Sequence, residues 1–135
     1  MHSEHAGCQW FEQVWNRRDR AAMARLATPD VHAHGADGIT RDLAGFAAFY
    51  DLMTAALPDL RIDVVNCVHG ADRVAVHWHA TGTHTGDAAS LLPTGRRIEV
   101  SGLSLMRFEQ DKIAEAWDSY DIVGLMSQLG AAAPA

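Results

Sequence analysis

Residues 112–121 read Lys112-Ile113-Ala114-Glu115-Ala116-Trp117-Asp118-Ser119-Tyr120-Asp121, and their reading decides the fold. Side chains alternate here as in a strand, and the stretch runs straight into a helical pattern. Ile122, Leu125, Met126 and Leu129 recur at helical spacing, and Gly130 is the expected stop. A carboxylate therefore stands at a strand-to-helix corner. Such an acid can face a pocket and move protons, or it can merely cap the helix. With Asp118 as N-cap, Asp121 falls at the third helical position, where an acid simply favours the helix dipole.

Upstream of this corner the pattern is that of an antiparallel meander. Leu60 to Val68 alternates, and His69-Gly70-Ala71-Asp72 turns the chain. Arg73 to His84 alternates strongly. Val74, Val76, Trp78 and Ala80 take one face, and Arg73, His77, His79 and Thr81 take the other. Pro93-Thr94-Gly95 lies in a loop that leads to a strand over Arg97 to Phe108, and Glu109-Gln110-Asp111 is a tight turn. Short connections between successive strands imply antiparallel pairing. The two central strands would be roughly 40 Å long if straight, so the sheet must bend. Gly82 and Gly102 are the expected bend or bulge points.

Helices precede the strands. Cys8, Phe11, Val14, Trp15, Ala22 and Leu26 form an apolar stripe interrupted near Asn16 to Asp19, which predicts a long and a short helix ending before Pro29. Val31 to His34 is a short extended piece, followed by the turn-prone Gly35-Ala36-Asp37-Gly38. Thr40 is expected as the next N-cap, with Asp42 in the first turn. Leu43, Phe46, Ala47, Tyr50, Met53 and Leu57 continue that helix until Pro58. The expected fold is α+β, a curved antiparallel sheet wrapped around N-terminal helices to form a cone with an internal pocket.

The 135 residues suit one domain, read as 1–130 with a frayed tail over 131–135. A net charge of −6 without a basic stripe disfavours nucleic acid as a partner. No apolar run is long enough for a membrane span, and the polar start lacks a signal peptide. Cys8 and Cys67 have no metal-like spacing and read as reduced thiols of a cytoplasmic protein.

Several motifs together resemble the SnoaL-like polyketide cyclases, within the nuclear-transport-factor-like α+β cone superfamily. They are Leu57-Pro58-Asp59-Leu60-Arg61-Ile62, Thr81-Gly82-Thr83-His84-Thr85-Gly86, Pro93-Thr94-Gly95-Arg96-Arg97 and Asp111-Lys112-Ile113-x-Glu115-x-Trp117-x-x-x-Asp121, closing with Gln128-Leu129-Gly130. The resemblance implies ring closure by an intramolecular aldol reaction, with no metal or cofactor. It places the family's catalytic aspartate on Asp121 and a pocket histidine at or near Arg107, where arginine is a departure. It also implies a homodimer formed through the outer sheet face.

The chemistry follows from these positions. A carbon acid beside a carbonyl must lose a proton, and the new alkoxide must gain one. A carboxylate in an apolar pocket does both, because burial raises its pKa. Asp121 is the expected general acid/base, with Trp78, Trp117, Phe46 and Met53 as pocket walls for a small hydrophobic carbonyl compound. Arg107 or His34 would orient the substrate or stabilise an enolate. Glu115 shares its expected face with Ile113 and Trp117, and is read either as a substrate contact or as the ion-pair partner of Arg107. His84 joins the pocket if Gly82 does not shift the register. The pairs His32/His34 and His77/His79 have the spacing of metal ligands, but His77 and His79 lie opposite Trp78 and no acid or Cys completes a set. Isomerisation or epoxide hydrolysis on the same cone is the alternative chemistry. A non-catalytic binding or dimeric interaction domain is the alternative class.

Overall fold

The computed structural model describes residues 6–87 and 92–130, so the frayed tail expected over 131–135 lies outside the described residues. The meander forms as read: β3 (Arg61–His69), β4 (Arg73–Thr83), β5 (Arg97–Glu109) and β6 (Lys112–Tyr120) pair antiparallel in succession. Gln110 and Asp111 both take positive φ, the backbone that a tight hairpin with the strands' own twist requires.

The sheet is mixed rather than purely antiparallel. The extended piece near Val31 is longer than expected, β1 (Ala27–His34), and it pairs parallel to β6. A two-residue β2 (Thr40–Arg41) then folds back antiparallel on β1. The six strands lie in the order β2-β1-β6-β5-β4-β3. β1 thus covers what would have been an exposed edge of β6.

Register shifts interrupt the sheet at three places, none of them at a glycine, and the first lies between Ala27 and His32 of β1 where it pairs with β6. β3 shifts register between Val64 and Asn66. In the β5–β6 pair, Arg107 faces Glu115 while Phe108 faces Ile113, which leaves Ala114 as an extra residue. The β4–β5 register runs without a break past both Gly82 and Gly102. Gly102 serves another purpose: a Cβ there would collide with the Trp78 ring that lies across it.

The helices fill the concave side. α1 (Ala6–Gln9) passes into a π-helical segment (Trp10–Asn16), and α2 (Ala22–Leu26) ends directly at β1. Asn16 pins this layer to β3. Its side-chain amide donates to the Ile62 carbonyl and accepts from the Ile62 N–H, each at 2.7 Å. α3 (Leu43–Ala56) is capped by Asp42, whose carboxylate accepts from the Gly45 N–H at 2.8 Å, not by Thr40, which is in β2. α4 (Ile122–Gln128) closes the chain, and Gly130 takes the positive φ of a helix stop.

Cys8 of α1 and Cys67 of β3, read from sequence as separate thiols, are joined as a disulfide, with Cα atoms 7.0 Å apart. Both point to the interior layer, because Cys67 pairs with the buried Val76 of β4. Among the described residues, no helix is long and apolar enough to cross a membrane.

Candidate active site

The concave sheet face and the helices enclose a cavity with about 1010 Å³ of atom-free space, its open mouth included. The π-helical segment turns Trp10, Phe11 and Trp15 toward it, α3 supplies Phe46, Phe49 and Met53, and β4 supplies Trp78. The rings pack on one another: Trp10 and Phe46 centroids are 5.2 Å apart, and Trp15 meets Phe46 edge-on at 5.8 Å. Trp78, Phe46 and Met53, expected as pocket walls, line this cavity.

Two acids reach this cavity: Asp42, which is taken up by the α3 cap, and Asp118. The Ala114 bulge resets the alternation of β6, so Ile113, Ala116, Asp118 and Tyr120 all line the cavity. Asp118 sits in a relay of three side chains. The indole N–H of Trp78 donates to Ser104 Oγ at 3.0 Å, and the Ser104 hydroxyl donates to Asp118 Oδ1 at 2.5 Å. Burial pushes the Asp118 carboxyl above the usual carboxylate range, while the Ser104 hydrogen bond and the positive charge of Arg41 pull it back. Tyr120 meets Trp78 edge-on at 5.7 Å, and burial raises its phenol as well, so it stays a neutral donor.

Asp121 has a different place. It is the N-cap of α4, exposed, and its carboxylate accepts from the Gly124 N–H at 2.8 Å. Gly124 leaves room for that approach, since a Cβ there would collide with the carboxylate. Asp121 does not line the cavity. Asp121, expected to face the pocket, caps the helix, and Asp118, weighed as the cap, lines the cavity, because β6 runs on to Tyr120 and the helix starts only at Ile122.

The same bulge carries Glu115 and Trp117 to the outer face. There they meet His34 and Arg107, so these four, expected in or near the pocket, form a surface cluster instead. His34 Nε2 lies 2.7 Å from Glu115 and its Nδ1 lies 3.0 Å from Thr40 Oγ1. Its ring stacks on Trp117 at 5.5 Å, with the Arg73 guanidinium on the Trp117 ring. Arg107 reaches Glu115 at 3.4 Å and Glu109 at 2.5 Å. The hydrogen bond from His34, then that from Arg107, holds the Glu115 carboxyl below its usual range. His84 is fully buried just beyond β4, with Nδ1 3.1 Å from Thr94 Oγ1, and does not line the cavity.

His77 and His79 are on the outer face as expected, beside Asn66 in one case and Ser101 and Glu99 in the other. Among the described residues, the group with metal-ligating atoms close together is Cys8, Cys67 and His69, whose donor atoms lie within 4.8 Å of one another. Two of those donors are the sulfurs of a disulfide, which does not hold a cation.

An α+β cone with an aromatic cavity and a buried acid, Asp118, set into its wall is the class that these elements define. The profile of the SnoaL-like polyketide cyclase family matches residues 6–129, and the chain belongs to that family. Solved structures agree. IdmH of Streptomyces antibioticus, a candidate polyketide cyclase, is similar with 28% identity and a TM-score of 0.80 over 93% of this chain and 96% of that one. AclR of Streptomyces galilaeus, a candidate hydroxylase, has 27% identity and a TM-score of 0.80 over 94% and 84%. A candidate SnoaL-like polyketide cyclase from Jannaschia sp. CCS1 shares the fold at 20% identity, with a TM-score of 0.84 over 96% and 91%. No curated protein matches the chain in sequence.

Proposed function

We propose that the protein is a cofactor-independent enzyme that closes a ring in a hydrophobic carbonyl compound by an intramolecular aldol reaction, with Asp118 as general acid/base. The observation that carries this is the Asp118 carboxyl, raised by burial yet held by Ser104 at the wall of an otherwise apolar cavity. The Asp118 carboxylate takes the proton from the carbon beside a carbonyl and becomes the acid. The Tyr120 hydroxyl donates to the enolate oxygen as negative charge moves there. The enolate carbon attacks a second carbonyl of the same molecule, a carbon–carbon bond forms, and the new alkoxide takes the proton back from Asp118. Trp78, Phe46 and the other rings hold the flat chain folded and keep water out. Family membership and the likeness to IdmH support the same reading.

The test is proton exchange at the α-carbon of β-tetralone in deuterated water, followed by NMR. Wild type and Asp121→Asn are expected to accelerate exchange, and Asp118→Asn to lose about a hundredfold to ten-thousandfold of that acceleration. Exchange by Asp118→Asn within tenfold of wild type would remove Asp118 from the reaction.

A further inference from the structure

We propose that Arg41 is an anion subsite at this cavity, so that the substrate is a free carboxylic acid on a flat hydrophobic body rather than its neutral ester. The proposal rests on the cavity being the substrate site. Among the described residues that line it, Arg41 is the cation, and the two acids, Asp42 and Asp118, are committed to the α3 cap and to Ser104. The chain as a whole is acidic, so an anionic ligand needs a local positive group to enter.

The hairpin between β1 and β2 is built around this guanidinium. Asp37 holds it by two bonds, Nη2 to Oδ2 at 2.7 Å and Nη1 to Oδ1 at 3.3 Å. Asp37 is itself fixed by the Ile39 N–H at 3.0 Å, and Gly38 takes the positive φ of the turn. A side chain at Gly35 would press on both partners: a Cβ there would lie 2.6 Å from Asp37 Oδ1 and 2.8 Å from Arg41 Nη1. The guanidinium lies on the Phe49 ring, 4.7 Å from its centre, and only 18% of the side chain is exposed. Arg41 is thus pre-positioned, partly desolvated and beside an aromatic wall, the setting in which a charged hydrogen bond to a carboxylate is strong. Its charge also reaches Asp118 and Tyr120, at the latter opposed by the larger effect of its partner Asp37, so a ligand bound by it lies within range of the reacting groups.

Isothermal titration calorimetry of the full chain with naphthoate and with methyl naphthoate tests this at low salt. The acid is expected to bind about tenfold tighter than the ester. Arg41→Met should abolish that preference, and Arg41→Lys should restore part of it. Equal binding of acid and ester to wild type, or an undiminished preference in a folded Arg41→Met protein, would overturn the proposal while the cavity reading stands. Binding of neither compound would overturn both. Asp118→Asn separates the catalytic reading: it should retain the preference for the acid even where exchange of β-tetralone is lost.

Discussion

Asp118→Asn should make the protein more stable at neutral pH while removing its chemistry. The unfolded chain carries an ordinary aspartate, with a pKa of about 3.9. Folding raises that pKa by burial. Between the two values the native state holds more protons than the unfolded state, so stability falls as pH rises through this window. The contribution is fully present below the unfolded pKa and lost above the folded one. At neutral pH the wild type therefore bears a charge that its cavity disfavours, costing about 1.4 kcal/mol for each pKa unit of elevation. Asparagine has the same shape, its carbonyl can still accept from Ser104, and it carries no charge. Each kcal/mol gained should move the melting temperature by roughly 3–5 °C for a chain of this length. Urea unfolding of both proteins from about pH 4 to about pH 8 reads the effect. The variant should draw ahead as pH rises. A variant less stable at neutral pH than wild type would mean that the fold favours the Asp118 charge, and a difference constant with pH would mean that folding leaves the Asp118 pKa unshifted; either would refute the reasoning. A catalytic group kept at a cost to stability is the expected trade.

Three further outcomes follow from particular contacts. Ser104→Ala removes a donor to the carboxylate and should raise the Asp118 pKa further in a carboxyl-carbon NMR titration; a fall would contradict the relay. Asp121→Ala should lose about 1 kcal/mol of stability with its cap, measured by thermal unfolding, and keep α-proton exchange; a tenfold loss of exchange would contradict its place outside the site. The outer sheet face exposes Leu103 at 55% and Val68 at 65%, and we propose that two copies pair there. Sedimentation velocity should find a dimer for wild type and a monomer for Leu103→Glu, and a monomeric wild type would end that proposal.

The residues told the fold well where periodicity was unbroken. The i, i+3, i+4 spacing from Leu43 to Leu57 became α3, and the alternation from Arg73 became β4 with Trp78 inward. The combined motifs from Leu57 to Gly130 resembled the family that the profile match then established. The site was harder to read for one physical reason. A bulge of one residue at Ala114 inverts every later side chain of β6, and nothing in Ala114 itself announces it. Counting in twos from Ile113 puts Glu115 and Trp117 in the pocket, whereas the chain puts Asp118 and Tyr120 there. One local cue did exist. Asp121 and Gly124, like Asp42 and Gly45, have the spacing of a capping carboxylate whose acceptor role is made easy by glycine. Ser104 and Arg41 were not readable from sequence, because their meaning lies in partners 14 residues away for Ser104 and in the α3 ring Phe49 for Arg41.

The central claim is that Asp118 is a proton-moving group set in an apolar cavity, and the carboxyl-carbon NMR titration of the free protein tests it most directly, with Asp118→Asn assigning the resonance. The account predicts a pKa above the ordinary value of about 3.9. A value at or below it would mean that hydrogen bonding and charge outweigh burial, and Asp118 would be a structural carboxylate.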